Sequence, residues 1–169
     1  MLRMIGGVLV LSGAVGIGYG KTRQYYHQLH QLGELRRGME LVSCQMNYTL
    51  LSIPKLLTII GQQLKPPAST YFQYLGEGIS NGLPRQKAYE AAIQRTKGLS
   101  LPNDGLMALI EWSSTLGQFD PEGENRMMQL SINRMEQALQ AYREEKKQVV
   151  KSYTLLGACV GLALIILLL

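Results

Sequence analysis

The chain is short of most things that catalysis, cross-linking or sheet formation require. It has two cysteines in 169 residues, Cys44 and Cys159. That excludes a disulfide-stapled mini-domain, and their very different surroundings give no reason to pair them. Two aspartates, Asp104 and Asp120, and two histidines, His27 and His30, leave few candidates for acid–base or metal chemistry. Charged residues make up only 17% against 46% apolar ones, which excludes a disordered chain, whose signature is high charge and low hydrophobicity. Period-two alternation is not sustained anywhere, so strands are not expected. At 169 residues the chain corresponds to one domain.

Charge is also missing locally. The first 20 and last 17 residues contain one charged side chain between them, Arg3, although the whole chain has a net charge of +5. Tyr153–Leu169, YTLLGACVGLALIILLL, would span about 25 Å as a helix, just enough for a thin hydrocarbon core. A buried core helix is the alternative, but such helices carry a polar stripe and this segment has none. Leu2–Gly20, LRMIGGVLVLSGAVGIGYG, is less apolar and rich in glycine. No A-x-A-like site closes it, although Gly16, Gly18 and Gly20 offer small residues, so an uncleaved anchor is preferred to a signal peptide. Lys21, Arg23, Arg36 and Arg37 follow the first segment, and Arg143, Lys146, Lys147 and Lys151 precede the last. The positive-inside bias therefore predicts a cytoplasmic middle region at both ends. The expected organisation is a transmembrane helix over 1–20, a cytoplasmic helical bundle over 21–152 and a transmembrane helix over 153–169.

Gly20-Lys21-Thr22 imitates a phosphate-binding loop, but Val15 stands where the first glycine of the motif must be. The glycines serve another reading. Ser12, Gly16 and Gly20 are spaced four apart, and Gly157 and Gly161 repeat the spacing in the last segment. Such small-residue faces let membrane helices approach closely, which makes these five residues helix-packing or partner candidates.

Helix punctuation divides the middle into six segments. The first runs over about Thr22–Leu50, with Tyr25, Leu29, Leu32, Leu35, Met39, Val42 and Met46 recurring every three or four residues. The second opens at Ile53-Pro54 and reaches Leu64, and Pro66-Pro67 ends it. The third covers Ala68–Ser80 and stops at Asn81-Gly82, a left-handed cap pair. The fourth runs from Pro84 to Lys97, the fifth from Pro102 to Leu116. The sixth starts at Asp120-Pro121, with Glu122 and Glu124 near the positive helix end. It carries Met128, Ile132, Met135, Leu139 and Tyr142, and is expected to run continuously into the last apolar segment. Short connections imply antiparallel packing into one bundle.

Sites for chemistry are sparse. His27, His30 and Glu34 share a helix face at i, i+3 and i+7, but one helix rarely supplies enough ligands, and solvated side chains are the preferred reading. Cys44 has no partnering histidine at a recognisable spacing and is expected to be a buried thiol. Trp112 is expected to be a packing residue. Arg85, Lys87, Arg95 and Lys97 make one segment basic, and without interleaved aromatics this favours a solvated or anionic-lipid-facing surface over nucleic acid. No enzyme, cofactor or metal is expected; the work of this chain is expected to be binding.

The pattern as a whole resembles the stage III sporulation protein AB family over nearly the full length. The residues that carry the resemblance are the opening MLRMIGGVLVLSGAVGIGYG, the helix turn MELVSCQMNYTLLSIPKLL, the turn SSTLGQFD and the closing YTLLGACVGLALIILLL. Departures at Lys55, Phe119 and Glu124 fall on caps and surfaces. The resemblance implies a platform subunit of a secretion-like channel between mother cell and forespore, required for sporulation and lodged in the outer forespore membrane on the mother-cell side. It implies a six-helix fold similar to the cytoplasmic domain of the inner-membrane platform proteins of type II secretion and type IV pilus machines. It also implies partners among other stage III sporulation channel proteins, including a motor ATPase, besides membrane lipid. A membrane-tethered helical scaffold with no ATPase partner is the alternative. The search for a motor contact begins at the turn Gly117–Asp120 and the basic segment Arg85–Lys97.

Overall fold

A computed structural model describes residues 25–46, 48, 51–118 and 121–168, and in the last helix it describes side chains for 122–145. Six helices and no strand occur among the described residues: α1 (25–46), α2 (Ile53–Gln63), α3 (Ala68–Ser80), α4 (Arg85–Arg95), α5 (Asn103–Thr115) and α6 (Pro121–Leu168). The expected antiparallel bundle of six helices is present. The expected first span, with Ser12, Gly16 and Gly20, lies outside the described residues, as does Asp120. Gly157 and Gly161 lie on the helical backbone of α6, beyond the described side chains. Among the described residues no helix is long and apolar enough to cross a membrane.

Local chemistry explains the boundaries. Tyr48 is in a turn, its N–H bonded to Gln45 O at 3.1 Å, so α1 gives way earlier than the expected Leu50. Ser52 is extended (φ −65°, ψ 143°) and hands over to α2, where Pro54 sits in the first turn at no cost in hydrogen bonds. Pro84 and Pro102 are the N-caps of α4 and α5 rather than their first residues. α3 ends in a Schellman motif: Leu83 N–H bonds Gly78 O and Gly82 N–H bonds Ile79 O, both at 3.1 Å, with Gly82 left-handed at φ +74°. The last helix is 48 residues long and unbroken, as its sequence led one to expect.

Each helix turns one stripe inward. Leu32, Leu35, Met39 and Val42 of α1, Leu56, Leu57 and Ile60 of α2, and Met128, Met135 and Leu139 of α6 are all buried. At the centre Trp112 of α5 meets Phe72 of α3 edge-on (5.6 Å, 74°), and Phe72 meets Tyr71 in the same way (5.6 Å, 80°). Each such side chain contributes about 1.5–3 kcal/mol on leaving water. The inner residues of α4 are only Ala88 and Ala92, and this smallness brings α4 close to α3. A Cβ added to Gly78 would stand 3.1 Å from the Cβ of Ala88.

Along the chain α2 packs on α3, α3 on α4, α4 on α5 and α5 on α6. α1 closes the bundle against α6, antiparallel. Ser43 meets Asn125 (3.5 Å) and Gln129 (3.3 Å), Arg36 pairs with Glu136 (2.7 Å), and Tyr25 stacks on Tyr142. The bundle therefore has two distinct ends. One holds the start of α1 and the point where α6 leaves; the other gathers the starts of α2, α4 and α6 with the ends of α3 and α5.

Candidate functional site: the two ends of the bundle

At the first end the rings of Tyr25 and Tyr142 lie 4.5 Å apart and 14° from parallel. The Tyr25 hydroxyl donates to the backbone carbonyl of Tyr142, and the Tyr142 hydroxyl donates to Gln28 Oε1. Gln28 Nε2 donates in turn to Ser100 Oγ (2.9 Å). Gln31, 1% exposed, donates to Gly98 O and accepts from Ser100 N–H, each at 2.9 Å. The clasp thus joins α1, α6 and the α4–α5 turn. Burial pushes the pKa of both phenols up, and the Glu145 carboxylate pushes each further up; for Tyr25 the Tyr142 phenol acts between the two. Both rings stay neutral at physiological pH, and so keep their donor protons.

At the opposite end Gly117 is the joint. It is left-handed (φ +66°) and ends α5. Its carbonyl accepts from Arg85 Nη2 of α4 (2.7 Å), and its N–H donates to the Glu124 carboxylate in the first turns of α6. Glu124 is buried, 7% exposed, so the backbone N–H compensates part of its desolvation, and the positive end of α6 adds to that. A Cβ at Gly117 would meet Ile53 Cδ1 at 3.0 Å and Arg85 Nη2 at 3.1 Å, so the joint also touches the start of α2. At this end Tyr48 (85% exposed), Leu51, Leu83 and, early in α6, Met127 face outward. An open cleft of about 330 Å³ runs between α2 and α3, lined by Ser52, Lys55, Thr58, Gly76, Glu77 and Asn81 among others.

The structure sorts the other candidates. Of the basic segment, Arg85 is committed to Gly117 and Arg95 stacks over the Tyr74 ring (4.4 Å), while Lys87 and Lys97 are exposed. His27 and His30 are exposed, and Glu34 Oε2 accepts the backbone N–H of Lys65 (3.0 Å), which fastens the α2–α3 turn to α1. Trp112 is the packing residue its position suggested, fully buried, with no acceptor for its indole N–H among the described residues. Cys44 corrects its expectation: it is exposed, not buried. It lies two residues from both Val42 and Met46, and a two-residue step turns a side chain to the far side of a helix. Sequence reasoning missed the clasp glutamines and the Arg85–Gly117–Glu124 joint. The positive-φ glycine after an apolar helix was a signal for the joint's position, but not for its partners.

What the geometry defines is an all-helical, six-helix bundle, clasped by aromatics where its terminal helices meet and jointed by a glycine at the other end. The chain belongs to the stage III sporulation protein AB family, whose model matches residues 3–169. A solved structure titled stage III sporulation protein AB (SpoIIIAB) has a similar fold, with a TM-score of 0.66 over 72% of this chain and 98% of that one, at 19% identity. No curated protein matches the sequence.

Proposed function

We propose that this chain is a membrane-anchored platform subunit of a secretion-like channel between mother cell and forespore, required for sporulation. It works by binding rather than catalysis. Its two charge-poor segments are the anchors, and the bundle stands on the cytoplasmic, mother-cell side. Its partners are other stage III sporulation channel proteins, a motor ATPase among them. The observation that carries the reading, beyond family membership, is the pairing of Tyr25 with Tyr142. Both chain ends leave the bundle on one side, as a domain held between two anchors requires. The opposite end, with Tyr48, Leu51, Leu83 and Met127 exposed, is then turned towards soluble partners.

Topology and partnership are tested separately. A reporter fused after Leu169 should be active only outside the cytoplasm, and one inserted at Asn81-Gly82 only inside; the reverse would overturn the orientation. Crosslinking and pulldown from sporulating cells should recover an ATPase with the full-length protein. Recovery of membrane partners without any ATPase would leave the scaffold reading in its place.

A further inference from the structure

α4 is the helix that the core holds least. Its only fully buried residues are Ala88 and Ala92, with Tyr89 and Ile93 half-buried against the core. Its neighbours bury far more: Tyr71, Phe72 and Leu75 on α3, Leu109 and Trp112 on α5. Where α4 crosses α3, the methyl group of Ala88 meets Gly78, which has no side chain to grip it. Much of the rest of α4 is polar and exposed: Gln86, Lys87, Glu90 and Gln94. The apolar area a segment buries sets what its local opening costs, so α4 has the least to lose.

Two latches fasten it, one at each end. At its start Arg85 Nη2 donates to Gly117 O (2.7 Å). Past its other end Gln31 of α1 donates to Gly98 O and accepts from Ser100 N–H, both at 2.9 Å. Left-handed glycines bracket the segment, Gly82 at φ +74° and Gly98 at φ +82°. We propose that α4, between Gly82 and Gly98, is a strap that opens and closes as one unit on the other five helices. It thereby links the Gly117 joint at one end of the bundle to the clasp at the other. Its helix has 11 residues, and one so short is marginal once its packing is lost, so releasing either latch loosens the whole segment. A partner that takes the Gly117 carbonyl from Arg85 loosens the α4–α5 turn at the far end, and the coupling runs equally in reverse. The strap is a property of the bundle alone and holds whether or not the chain ends enter a membrane.

Amide hydrogen exchange of the full-length protein, purified in mild detergent and read by mass spectrometry, is the test. Peptides within 86–97 should exchange far faster than those within 70–76 of α3 and 108–113 of α5. Arg85→Met and Gln31→Met each remove one latch and keep an unbranched side chain. Each should speed exchange along all of 86–97 by at least about fivefold, the effect of one hydrogen bond. That rise should exceed any change in 70–76 and 108–113. An α4 as protected as α5 would overturn the strap. So would a rise confined to the end that lost its latch, or an equal rise in all three helices.

Discussion

Gly33 and Gly38 stand five residues apart on α1, and the same substitution should act on them in opposite directions. A Cβ at Gly33 meets nothing within 4 Å among the described residues, whereas at Gly38 it would lie 2.4 Å from Phe72 Cε2 and 2.7 Å from Leu64 Cδ1. Gly33→Ala gains helix propensity and should stabilise the bundle by about 0.5–1 kcal/mol. Gly38→Ala forces two core side chains aside and should cost about 1–3 kcal/mol. Urea unfolding of both variants checks the signs; two stabilising substitutions would contradict the close approach of α1 to α3. Tyr71 gives a pH test. It is fully buried, and its hydroxyl donates to Ser113 Oγ (2.6 Å), since the Ser113 proton is directed at Leu109 O (2.7 Å). Burial, the largest effect, pushes its pKa far above that of an ordinary tyrosine, and the Ser113 bond offsets only part of that. Folding therefore favours the neutral phenol. The resulting stability is present in full below about pH 10 and is lost as pH rises through the folded-state value. Melting temperature should fall above about pH 10, and Tyr71→Phe, about 1 kcal/mol less stable at neutral pH, should show a flatter fall. Parallel pH curves would dismiss Tyr71 as the cause.

The ends of α2 to α5 were legible to within a residue or two, because helix ends are written locally; α1, with no proline or glycine between Gly38 and Tyr48 to stop it, ended about four residues earlier than expected. Pro54, Pro84 and Pro102, and the glycines at 82, 98 and 117, act through their own backbone angles. The stripes were legible for the same reason, since a side chain's neighbours at three and four residues do not depend on the rest of the fold. α6 tests this. Leu139 is on its inward stripe, 2% exposed, and Leu130 is outside it, 50% exposed. Leu139→Asp buries an unpaired charge and should cost at least about 3–5 kcal/mol, a large fraction of a domain's total stability. Leu130→Asp should change stability by less than about 0.5 kcal/mol. Comparable losses in thermal unfolding would show that α6 is rotated relative to the bundle.

As a whole, the molecule combines a self-contained core with two charge-poor ends. Among the described residues the buried side chains come from α1 through α6 before Tyr142, so the bundle has a core of its own. A fragment of about residues 22–152 should be soluble and mostly helical by circular dichroism, and should unfold cooperatively. Substantial β-structure, or aggregation that only detergent relieves, would mean that the terminal segments complete the core. Both polar contacts of the α1–α6 seam and the stacked tyrosines join residues roughly a hundred positions apart. Their loss should affect how α1 sits on α6 more than the helix content.

The sequence by itself determined the helix count, the inward stripes, the positions of the turns and the charge-poor ends, because each depends on residues a few positions apart or on simple composition. It also carried the family, through motifs that run from end to end. Only the tertiary structure decided that Gly117 would be shared by Arg85 and Glu124, that Glu34 would fasten the α2–α3 turn instead of joining two histidines, and that Gln28 and Gln31 would hold the α4–α5 turn. Those partners are brought together by how the helices stack, and no spacing along the chain encodes that. Cys44 is the plainest case: its residue type argued for burial, and the rotation of α1 about its own stripe put it outside.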